Sequence, residues 1–342
     1  MSFKQIRELP SVAHILDELP LPATLAAVKR ERDAELAKIF TGASNRFLLI
    51  IGPCSAHDTD AVCDYVTRLA GLEEKVRDKL MLVPRIYTNK PRTTGSGYKG
   101  MGHQPRHTDR PNISEGLKAI RAMHIRALGE SGLSAADEML YPENYPYLED
   151  VLSYVAIGAR SVENQQHRLT ISGLDIPSGM KNPTSGDMGV MLNSVQAAQL
   201  PHIFTYNRWE VETTGNPLCH CILRGAVDKY GRNIPNYHYD DLEELHRLYQ
   251  ERQLANPAVI VDTNHANSGK KYREQPRIAR EIISSKKHSP GINTLVKGLM
   301  IESFLVGGQQ DETGTVYGQS ITDPCLDWEE SARLVQEIAA AL

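Results

Sequence analysis

Short apolar runs alternate with amphipathic helical segments along most of the chain, and this alternation limits the folds that the chain can adopt. The first run covers residues 47–51, and a helical pattern with apolar residues three and four apart follows over residues 62–76. Similar units recur up to a last amphipathic segment, residues 328–342. Strands that alternate with helices are parallel, because each helix returns the chain to the same edge of the sheet. About eight such units within about 300 residues predict an α/β fold of the (β/α)8 TIM barrel type.

Two segments are less regular. The apolar spacing of residues 148–155 predicts a short helix. Residues 202–206 are expected to form a strand, and residues 207–219 a hairpin that leads into a strand at 219–223.

The first 45 residues do not share the alternation. A helix is expected over residues 23–40, but its apolar stripe is incomplete. We therefore predict an N-terminal helical extension, residues 1–45, and a catalytic barrel, residues 46–342. The extension is too short to form its own core, so it is expected to pack on the barrel or on a neighbouring subunit. The barrel is expected to be complete without it.

Charge and composition exclude several classes of partner. The net charge of -4 argues against a nucleic-acid partner and against a polybasic membrane contact. No apolar run approaches the roughly 18 residues of a membrane helix, and the N-terminus lacks the pattern of a secretory signal. The five cysteines show no disulfide framework. These features predict a cytoplasmic protein.

Positive charge is concentrated in one stretch. Residues 79–108 contain no aspartate or glutamate, although the whole chain has 42 acidic residues among 342. The stretch carries Arg85, Lys90, Arg92 and Lys99, with hydroxyl residues and glycines between them. Cations without counter-charges repel one another, so this clustering predicts an anionic ligand such as a phosphate or a carboxylate. The alternative is a solvated basic loop.

Polar residues that suit a site lie at or near the ends of the predicted strands. They are Cys54, Arg85, Glu138, Arg160, Lys181, Arg224, His265 and Glu302. In a barrel the carboxyl ends of the strands converge on one face, which is the face that holds active sites. The cations of this set would suit two phosphates and a carboxylate, and ordinary ion pairing with neighbouring acids is the alternative.

Four residues form a candidate metal set: Cys54, His265, Glu302 and Asp323. Thiolate, imidazole and carboxylate together suit a divalent transition ion. Their spacing in the sequence decides nothing, because the four residues are far apart and only the fold could unite them. A buried thiol, a hydrogen-bonded imidazole and a capping carboxylate are the alternative interpretation.

Nine segments resemble those of the type I 3-deoxy-D-arabino-heptulosonate 7-phosphate (DAHP) synthases, in the family's order and over nearly the whole chain. They are IGPCSAHD (51–58), PRIYTNKPRTT (84–94), GYKG (97–100), VAIGARSVENQQHR (155–168), MKN (180–182), ILRG (222–225), NHANSGK (264–270), MIESFLVGGQ (300–309) and SITDPCLDW (320–328). The resemblance implies a (β/α)8 barrel with an N-terminal extension. It also implies a metal-dependent transferase that condenses phosphoenolpyruvate with erythrose 4-phosphate, the first step of the shikimate pathway.

The resemblance also implies residue roles. The metal, Mn²⁺, Fe²⁺ or Co²⁺ with Zn²⁺ as an alternative, would be bound by Cys54, His265, Glu302 and Asp323. Phosphoenolpyruvate would contact Arg85, Lys90, Arg160, Lys181 and Arg224. Erythrose 4-phosphate would contact Lys90, Arg92 and Thr93, with Lys99 as a further substrate-binding residue. Lys90 would act as the proton donor and Glu138 would orient a water, while Cys54 and His265 would take part in catalysis through the metal.

Family members that are feedback-regulated combine an N-terminal arm with an added strand pair, so the resemblance implies a homodimer or homotetramer and an aromatic amino acid effector. The chain departs from the family at Gly95-Ser-Gly-Tyr-Lys99, which is one residue longer than in the better-known branch. This weakens the role assigned to Lys99. The segment 209–219 is shorter than in regulated members, which weakens the effector prediction.

Three other functions compete with this assignment. A related barrel enzyme makes an eight-carbon sugar acid from arabinose 5-phosphate, but it carries Lys-Ala-Asn-Arg where this chain has Lys-Pro-Arg-Thr, residues 90–93. A variant that uses an imino-erythrose phosphate would need the same residues. A catalytically dead relative is disfavoured, because all four candidate ligands and all the cations are present.

Overall fold

The structure is a computed structural model that describes residues 2–342. Within these residues, eight parallel strands form a barrel, and we number them β1 to β8 in chain order. The strands are β1 Phe47–Gly52, β2 Leu80–Pro84, β3 Ala135–Glu138, β4 Leu152–Ile157, β5 Ser178–Lys181, β6 Cys219–Leu223, β7 Val259–Asp262 and β8 Val296–Glu302.

The strands pair in chain order around the barrel. Strand β1 pairs with both β2 and β8, and the parallel ladder continues through β7, β6, β5 and β4 to β3. A parallel bridge between Arg85 and Ala136 joins β2 to β3, where the amide of Ile86 donates to the carbonyl of Ala136 at 2.9 Å. This bridge closes the barrel and confirms the predicted (β/α)8 fold.

Ten α-helices lie within the described residues. They are α1 Val12–Glu18, α2 Ala23–Thr41, α3 Thr59–Val76, α4 Ile113–Ser131, α5 Gln165–Ile171, α6 Met188–Gln199, α7 Tyr239–Arg252, α8 Gln275–His288, α9 Pro290–Leu295 and α10 Trp328–Ala341. Side-chain caps start several of them: Asp58, Asn112, Asp187 and Asp327 each accept a hydrogen bond from a backbone amide of the first turn. None of these helices has the length and apolar character needed to cross a membrane.

The prediction of a helix at residues 148–155 is wrong. The structure has a 3-10 helix, Pro142–Tyr147, and β4 begins at Leu152. Leu148, Val151 and Leu152 are all buried, so the spacing of three and four residues came from a buried turn followed by a buried strand. In so short a segment, a fully buried turn and strand can show the same spacing of apolar residues as a helix.

A hairpin is present, but it begins before the predicted range of residues 207–219 and takes the predicted strand as its first half. It pairs Ile203–Tyr206 with Trp209–Glu212 through a turn at Asn207 and Arg208, which both have positive φ. The strand expected at residues 202–206 therefore lies outside the barrel, and the sixth barrel strand is Cys219–Leu223. Two other pairs of short strands are Ala226–Val227 with Asn233–Ile234 and Val306–Gln309 with Gln319–Ser320.

Apolar residues form two layers because side chains alternate along each strand. Outward residues such as Leu49 and Ile51 pack in the large cluster between barrel and helices, while Leu48 and Ile50 belong to a separate cluster inside the barrel. The helix α2 joins the inner cluster through Leu36, Ile39 and Phe40, which are fully buried.

The ring of Phe40 lies 4.3 Å from the ring of His220 on β6. The end of α2 thus packs into the barrel next to β6. This packing differs from the expectation that the barrel is complete without the extension.

Candidate active site

The carboxyl ends of the strands surround a cavity of about 380 Å³. Side chains alternate along a strand, so a residue two positions after an inward apolar residue also points inward. Arg85, Glu138 and Arg224 line the cavity because they follow Val83, Ala136 and Ile222 in this way. Ten residues singled out from the sequence line it: Arg85, Lys90, Arg92, Thr93, Glu138, Arg160, Lys181, Arg224, His265 and Asp323.

Three of the four predicted metal ligands lie together at one side of this cavity. One ligand atom from each of Cys54, Glu302 and Asp323 lies within 4.8 Å of the others. The Sγ of Cys54 is 3.3 Å from Oδ2 of Asp323. Cys54 follows β1, Glu302 ends β8 and Asp323 lies in the segment after β8, so the fold brings together residues that are 269 positions apart.

The fourth residue, His265, is placed to complete this set. Its Nε2 lies 3.9 Å from Oε1 of Glu302, and its Nδ1 lies 2.8 Å from Oδ2 of Asp262, although the Nδ1 geometry falls outside that of a hydrogen bond. His265 adopts a φ of 49°, which turns the chain sharply after β7. A carboxylate behind an imidazole is the usual arrangement for a histidine that binds a metal through its other nitrogen.

The charge of this cluster also fits a cation. The Nζ of Lys90 lies 2.6 Å from Sγ of Cys54 and 3.2 Å from Oδ2 of Asp323. Lys90 holds the pKa of Asp323 well below its usual range, while burial and the charge of Glu302 raise the pKa of Cys54 to about 11. A thiol and two carboxylates lie close together, with the imidazole of His265 beside Glu302, and these residues fit a divalent ion.

Arg85 is a buried cation between the cluster and the barrel interior. Its Nη2 donates to Oε1 of Glu302 at 3.1 Å, another N–H donates to the carbonyl of Pro53, and its guanidinium lies 3.7 Å from the ring centre of Tyr87. Ordinary ion pairing therefore accounts for part of its charge. Its Nε is buried without a partner among the described residues.

Lys181 and Arg224 differ in their pairing. The Nζ of Lys181 lies 3.2 Å from Oδ2 of Asp262. Arg224 is buried, and within residues 2–342 its side chain donates only to the carbonyl of Gly225, at 3.4 Å. Burial lowers its pKa from the ordinary arginine value. A buried arginine that faces a cavity without a carboxylate indicates that an anion from outside completes the pair.

The basic loop, residues 88–100, forms another wall. The Nε of Arg160 donates to Oγ1 of Thr93 at 2.8 Å, and Nε of Arg92 donates to the carbonyl of Tyr98 at 2.8 Å. Lys99 is not among the residues that line the cavity. Its carbonyl accepts from the amide of Lys90 at 3.0 Å. A substrate contact from the Lys99 side chain stays a prediction.

Glu138 ends β3 and faces the cavity with its carboxylate. Gly158, beyond the end of β4, leaves the necessary space, because a Cβ there would lie 2.2 Å from Oε1 of Glu138. The Glu138 carboxylate makes no hydrogen bond to another described residue, so it is available to a substrate or a water.

Sequence reasoning missed Asp262, which contacts both Lys181 and His265. Alternation could have found it, because Ile260 lies inside the barrel and the side chain two residues later faces the same way. Asp137 was also missed. It points outward, where its Oδ1 accepts from the amide of Thr88 at 2.9 Å and fixes the start of the basic loop.

Comparison with known proteins agrees with this geometry. The family model described as "DAHP synthetase I family" matches residues 23–336. A protein of Haemophilus influenzae named phospho-2-dehydro-3-deoxyheptonate aldolase is 38% identical over 98% of this chain and 91% of its own length. The protein of Escherichia coli K12 with the same name and the term "Phe-sensitive" is 36% identical over 100% of this chain and 97% of its own length. Other relatives are named Trp-sensitive and Tyr-sensitive.

A solved structure agrees as well. The phospho-2-dehydro-3-deoxyheptonate aldolase of Francisella tularensis SCHU S4 superposes with a TM-score of 0.92 at 32% identity, covering 99% of this chain and 98% of that one. The match extends over the barrel and the segments that carry the site. The chain therefore belongs to the DAHP synthetase I family.

Proposed function

We infer that the chain condenses phosphoenolpyruvate with D-erythrose 4-phosphate and water, giving DAHP and inorganic phosphate. This reaction is the first step of aromatic amino acid biosynthesis, and the enzyme is a transferase. Family membership supports the activity. The observation that carries it in the structure is a cavity lined by an excess of cations that meets the Cys54-Glu302-Asp323 cluster at Asp323.

Phosphoenolpyruvate is assigned to the inner part of the cavity. Its phosphate and carboxylate carry negative charge that Arg224, buried without a carboxylate partner, is placed to receive. Arg85, Lys90 and Lys181 supply further cations around the same space, and Arg160, which is exposed and bonded to Thr93, supplies one from the outer side. Charge-assisted hydrogen bonds from such groups bind the substrate and fix its orientation for attack.

Erythrose 4-phosphate is assigned to the outer part, beside the basic loop. Arg92 and Thr93 lie at the exposed end of the cavity and suit the phosphate, while Lys90 reaches inward to the metal cluster. The aldehyde would then lie near Lys90, and the phosphate would lie near Arg92. The positions of Lys90 and Arg92 therefore define which end of the aldose points toward the metal cluster.

The family uses a divalent metal, and we propose Cys54, His265, Glu302 and Asp323 as its ligands in this chain. Manganese, iron and cobalt suit this mixture of thiolate, imidazole and carboxylate, and zinc is the alternative. When bound, the ion polarises the aldehyde and makes its carbon electrophilic. Asp262, whose Oδ2 lies 2.8 Å from Nδ1 of His265, is the carboxylate that would orient the imidazole toward the ion.

Two residues are placed to move protons. In the reaction, C3 of phosphoenolpyruvate forms a bond to the aldehyde carbon, and the aldehyde oxygen becomes a hydroxyl that needs one proton. The Nζ of Lys90 can supply that proton. Water then adds at C2 and the C2–O bond to phosphate breaks. The carboxylate of Glu138, free of other partners, can orient this water and accept a proton from it.

Regulation and assembly are proposed from the other part of the molecule. A cavity of about 590 Å³ lies between residues 8–13, Tyr147 and the hairpin turn 207–209. We propose that an aromatic amino acid binds there and that the extension, residues 1–45, contributes to a homodimer or homotetramer. The Phe-, Trp- and Tyr-sensitive relatives support an aromatic effector. Exposed Phe3, Ile6, Ile203 and Trp209 provide apolar surface for a subunit contact.

A phosphate-release assay tests the proposed reaction. The purified chain with manganese and phosphoenolpyruvate should release phosphate with erythrose 4-phosphate and not with arabinose 5-phosphate. Mass spectrometry of the product separates DAHP from the amino-sugar product of an imino substrate. Release with arabinose 5-phosphate alone would overturn the assignment.

A further inference from the structure

Glu312 contacts the basic loop from the loop that joins Val306–Gln309 to Gln319–Ser320. Its Oε1 accepts from the backbone amide of Tyr98 at 2.7 Å and from Nη2 of Arg92 at 3.2 Å. Both donors belong to the segment 92–98, so one carboxylate oxygen holds the two ends of this segment. Nothing in the sequence pattern singled out Glu312, because it lies in a polar loop 220 residues away from Arg92.

The loop that carries Glu312 is braced. The side chain of Gln310 donates to the carbonyls of Val316 and Gln319 at 2.9 and 3.0 Å, and its Oε1 accepts from the amide of Val316 at 2.9 Å. Gly314 packs directly against the side chain of Gln310, which would have to shift if a Cβ were present there. Glu312 is therefore presented on a turn with its own hydrogen bonds.

The basic loop leaves space for the carboxylate of Glu312 at Gly97. Gly97 has a φ of 90°, and a Cβ there would lie 2.9 Å from Oε1 of Glu312 and 3.3 Å from the guanidinium of Arg92. Only glycine leaves room for both groups. This position lies within the Gly95-Ser-Gly segment where the chain is one residue longer than the better-known branch of its family.

The contacts leave part of the guanidinium free. A guanidinium has five N–H donors in a fixed plane. The Nε–H of Arg92 is used by the carbonyl of Tyr98 and one N–H of Nη2 by Glu312, and the residue still lines the cavity. Two fixed bonds set the plane of the guanidinium, so its remaining donors have a defined direction.

We propose that Glu312 is a positioning residue that aims Arg92 at the phosphate of erythrose 4-phosphate. This inference rests on the proposed function, in which Arg92 binds that phosphate. Glu312 does not touch the substrate in this assignment. Its effect on the reaction passes through the orientation of Arg92 and through the closed form of the segment 92–98.

Steady-state kinetics of Glu312→Ala, Glu312→Gln and Arg92→Ala test the proposal. We expect Glu312→Ala to raise KM for erythrose 4-phosphate about fivefold, between the effects of an exposed ion pair and a charge-assisted hydrogen bond, with kcat and KM for phosphoenolpyruvate unchanged. Glu312→Gln keeps an acceptor oxygen and should restore most of the affinity. Inorganic phosphate, used as a competitive inhibitor against erythrose 4-phosphate, should weaken by the same factor in Glu312→Ala.

Asp311→Ala is the matched control, because it removes the neighbouring exposed acid whose side chain makes no hydrogen bond within residues 2–342. It should behave as the unmodified chain. Gly97→Ala places a methyl group in the space that the Glu312 carboxylate occupies and should raise the same KM, and combining it with Glu312→Ala should add little, because both act on one contact.

The outcomes separate the two levels of inference. If Arg92→Ala raises KM for erythrose 4-phosphate but Glu312→Ala does not, the positioning role is overturned and the proposed function stands. A lower KM in both Glu312 variants would also overturn it, since the carboxylate would then be a competitor of the phosphate. If Arg92→Ala leaves the KM for erythrose 4-phosphate unchanged, the proposed division of the cavity is itself wrong.

Discussion

The two ends of the barrel use the same inward positions for opposite purposes. At one end, Leu36, Ile39 and Phe40 of α2 join the apolar residues inside the barrel. At the other end, the same strands present Arg85, Lys181, Arg224, Asp262 and Glu302, all of them buried. Burial of apolar side chains stabilises the fold, whereas burial of charge requires partners. The comparison separates the residues that stabilise the fold from the residues that carry the chemistry.

The ion pairs at the functional end are weak evidence for stability. Arg85 with Glu302 and Lys181 with Asp262 lie at 3.1 and 3.2 Å with almost no exposure. Removing water from both charges offsets much of their attraction. Each pair instead fixes the direction of a charged group beside the cavity. The apolar end therefore has to supply stability that the functional end does not.

Removing α2, which closes the apolar end of the barrel, should have the largest effect on stability. A chain that lacks residues 1–45 loses three fully buried side chains from the barrel interior, and each such loss costs about 2–5 kcal/mol. Because domains are stable by only about 5–15 kcal/mol, we expect this chain to be unfolded or molten in circular dichroism and urea titration.

The matched control for this deletion removes only residues 1–10. These residues precede α1 and include the exposed Phe3 and Ile6. This chain should stay folded and active, with a smaller oligomer or a weaker effector response. A cooperative, native-like transition in the chain lacking residues 1–45 would show that α2 is not needed to close the barrel.

Cys54→Ser changes the functional end of the barrel. It should reduce activity about 100-fold or more while leaving the fold intact. A hydroxyl is a poor ligand for a borderline or soft divalent ion, so the bound metal measured by elemental analysis should fall as well. Cys63→Ser is the matched control, since Cys63 is equally buried but lies on α3 outside the cavity. Full activity in a metal-stripped sample would contradict the metal assignment.

Arg160→Ala and Arg92→Ala should divide the cavity between the two substrates. Arg160→Ala is expected to raise KM mainly for phosphoenolpyruvate, and Arg92→Ala mainly for erythrose 4-phosphate, each about tenfold because a charge-assisted contact is lost. Initial-rate kinetics with each substrate varied in turn measure this. The assignment fails if each variant affects the substrate assigned to the other.

The most gradual effect concerns pH at the apolar end. Burial lowers the pKa of His220 to about 3, and its Nε2 accepts from the hydroxyl of Tyr154 at 2.7 Å while Nδ1 donates to the carbonyl of Leu218 at 2.8 Å. The unfolded chain binds a proton near pH 6.5, whereas the folded chain does not. Stability from this group is therefore present above about pH 6.5 and is lost as pH falls, by up to about 1.4 kcal/mol per pH unit.

Urea titrations at several pH values measure this slope, and His220→Gln should have a shallower one. If the variant does not fold, NMR of the unmodified chain gives the second measurement, because the His220 ring should stay neutral below pH 6. A His220 that titrates near its ordinary pKa in the folded chain would contradict the explanation.

The sequence alone determined the type of fold and the types of group in the site. Apolar runs and helical periodicity depend on local burial, so they predicted the barrel, and they failed where short buried segments have no clear period, as at residues 148–155. The motifs identified Arg85, Lys90 and His265 as site residues for the same reason, since each follows a predicted strand. Residue type and position along a strand are local properties.

Only the tertiary structure decided which groups meet. Distances between Cys54 and Asp323, between Asp262 and His265, and between Glu312 and Arg92 depend on how strands and loops far apart in sequence are brought together. The same is true of Phe40, whose apolar character in the sequence gave no indication that it packs inside the barrel. Contacts of this kind form when the whole sheet closes into a barrel, so no local sequence pattern predicts them.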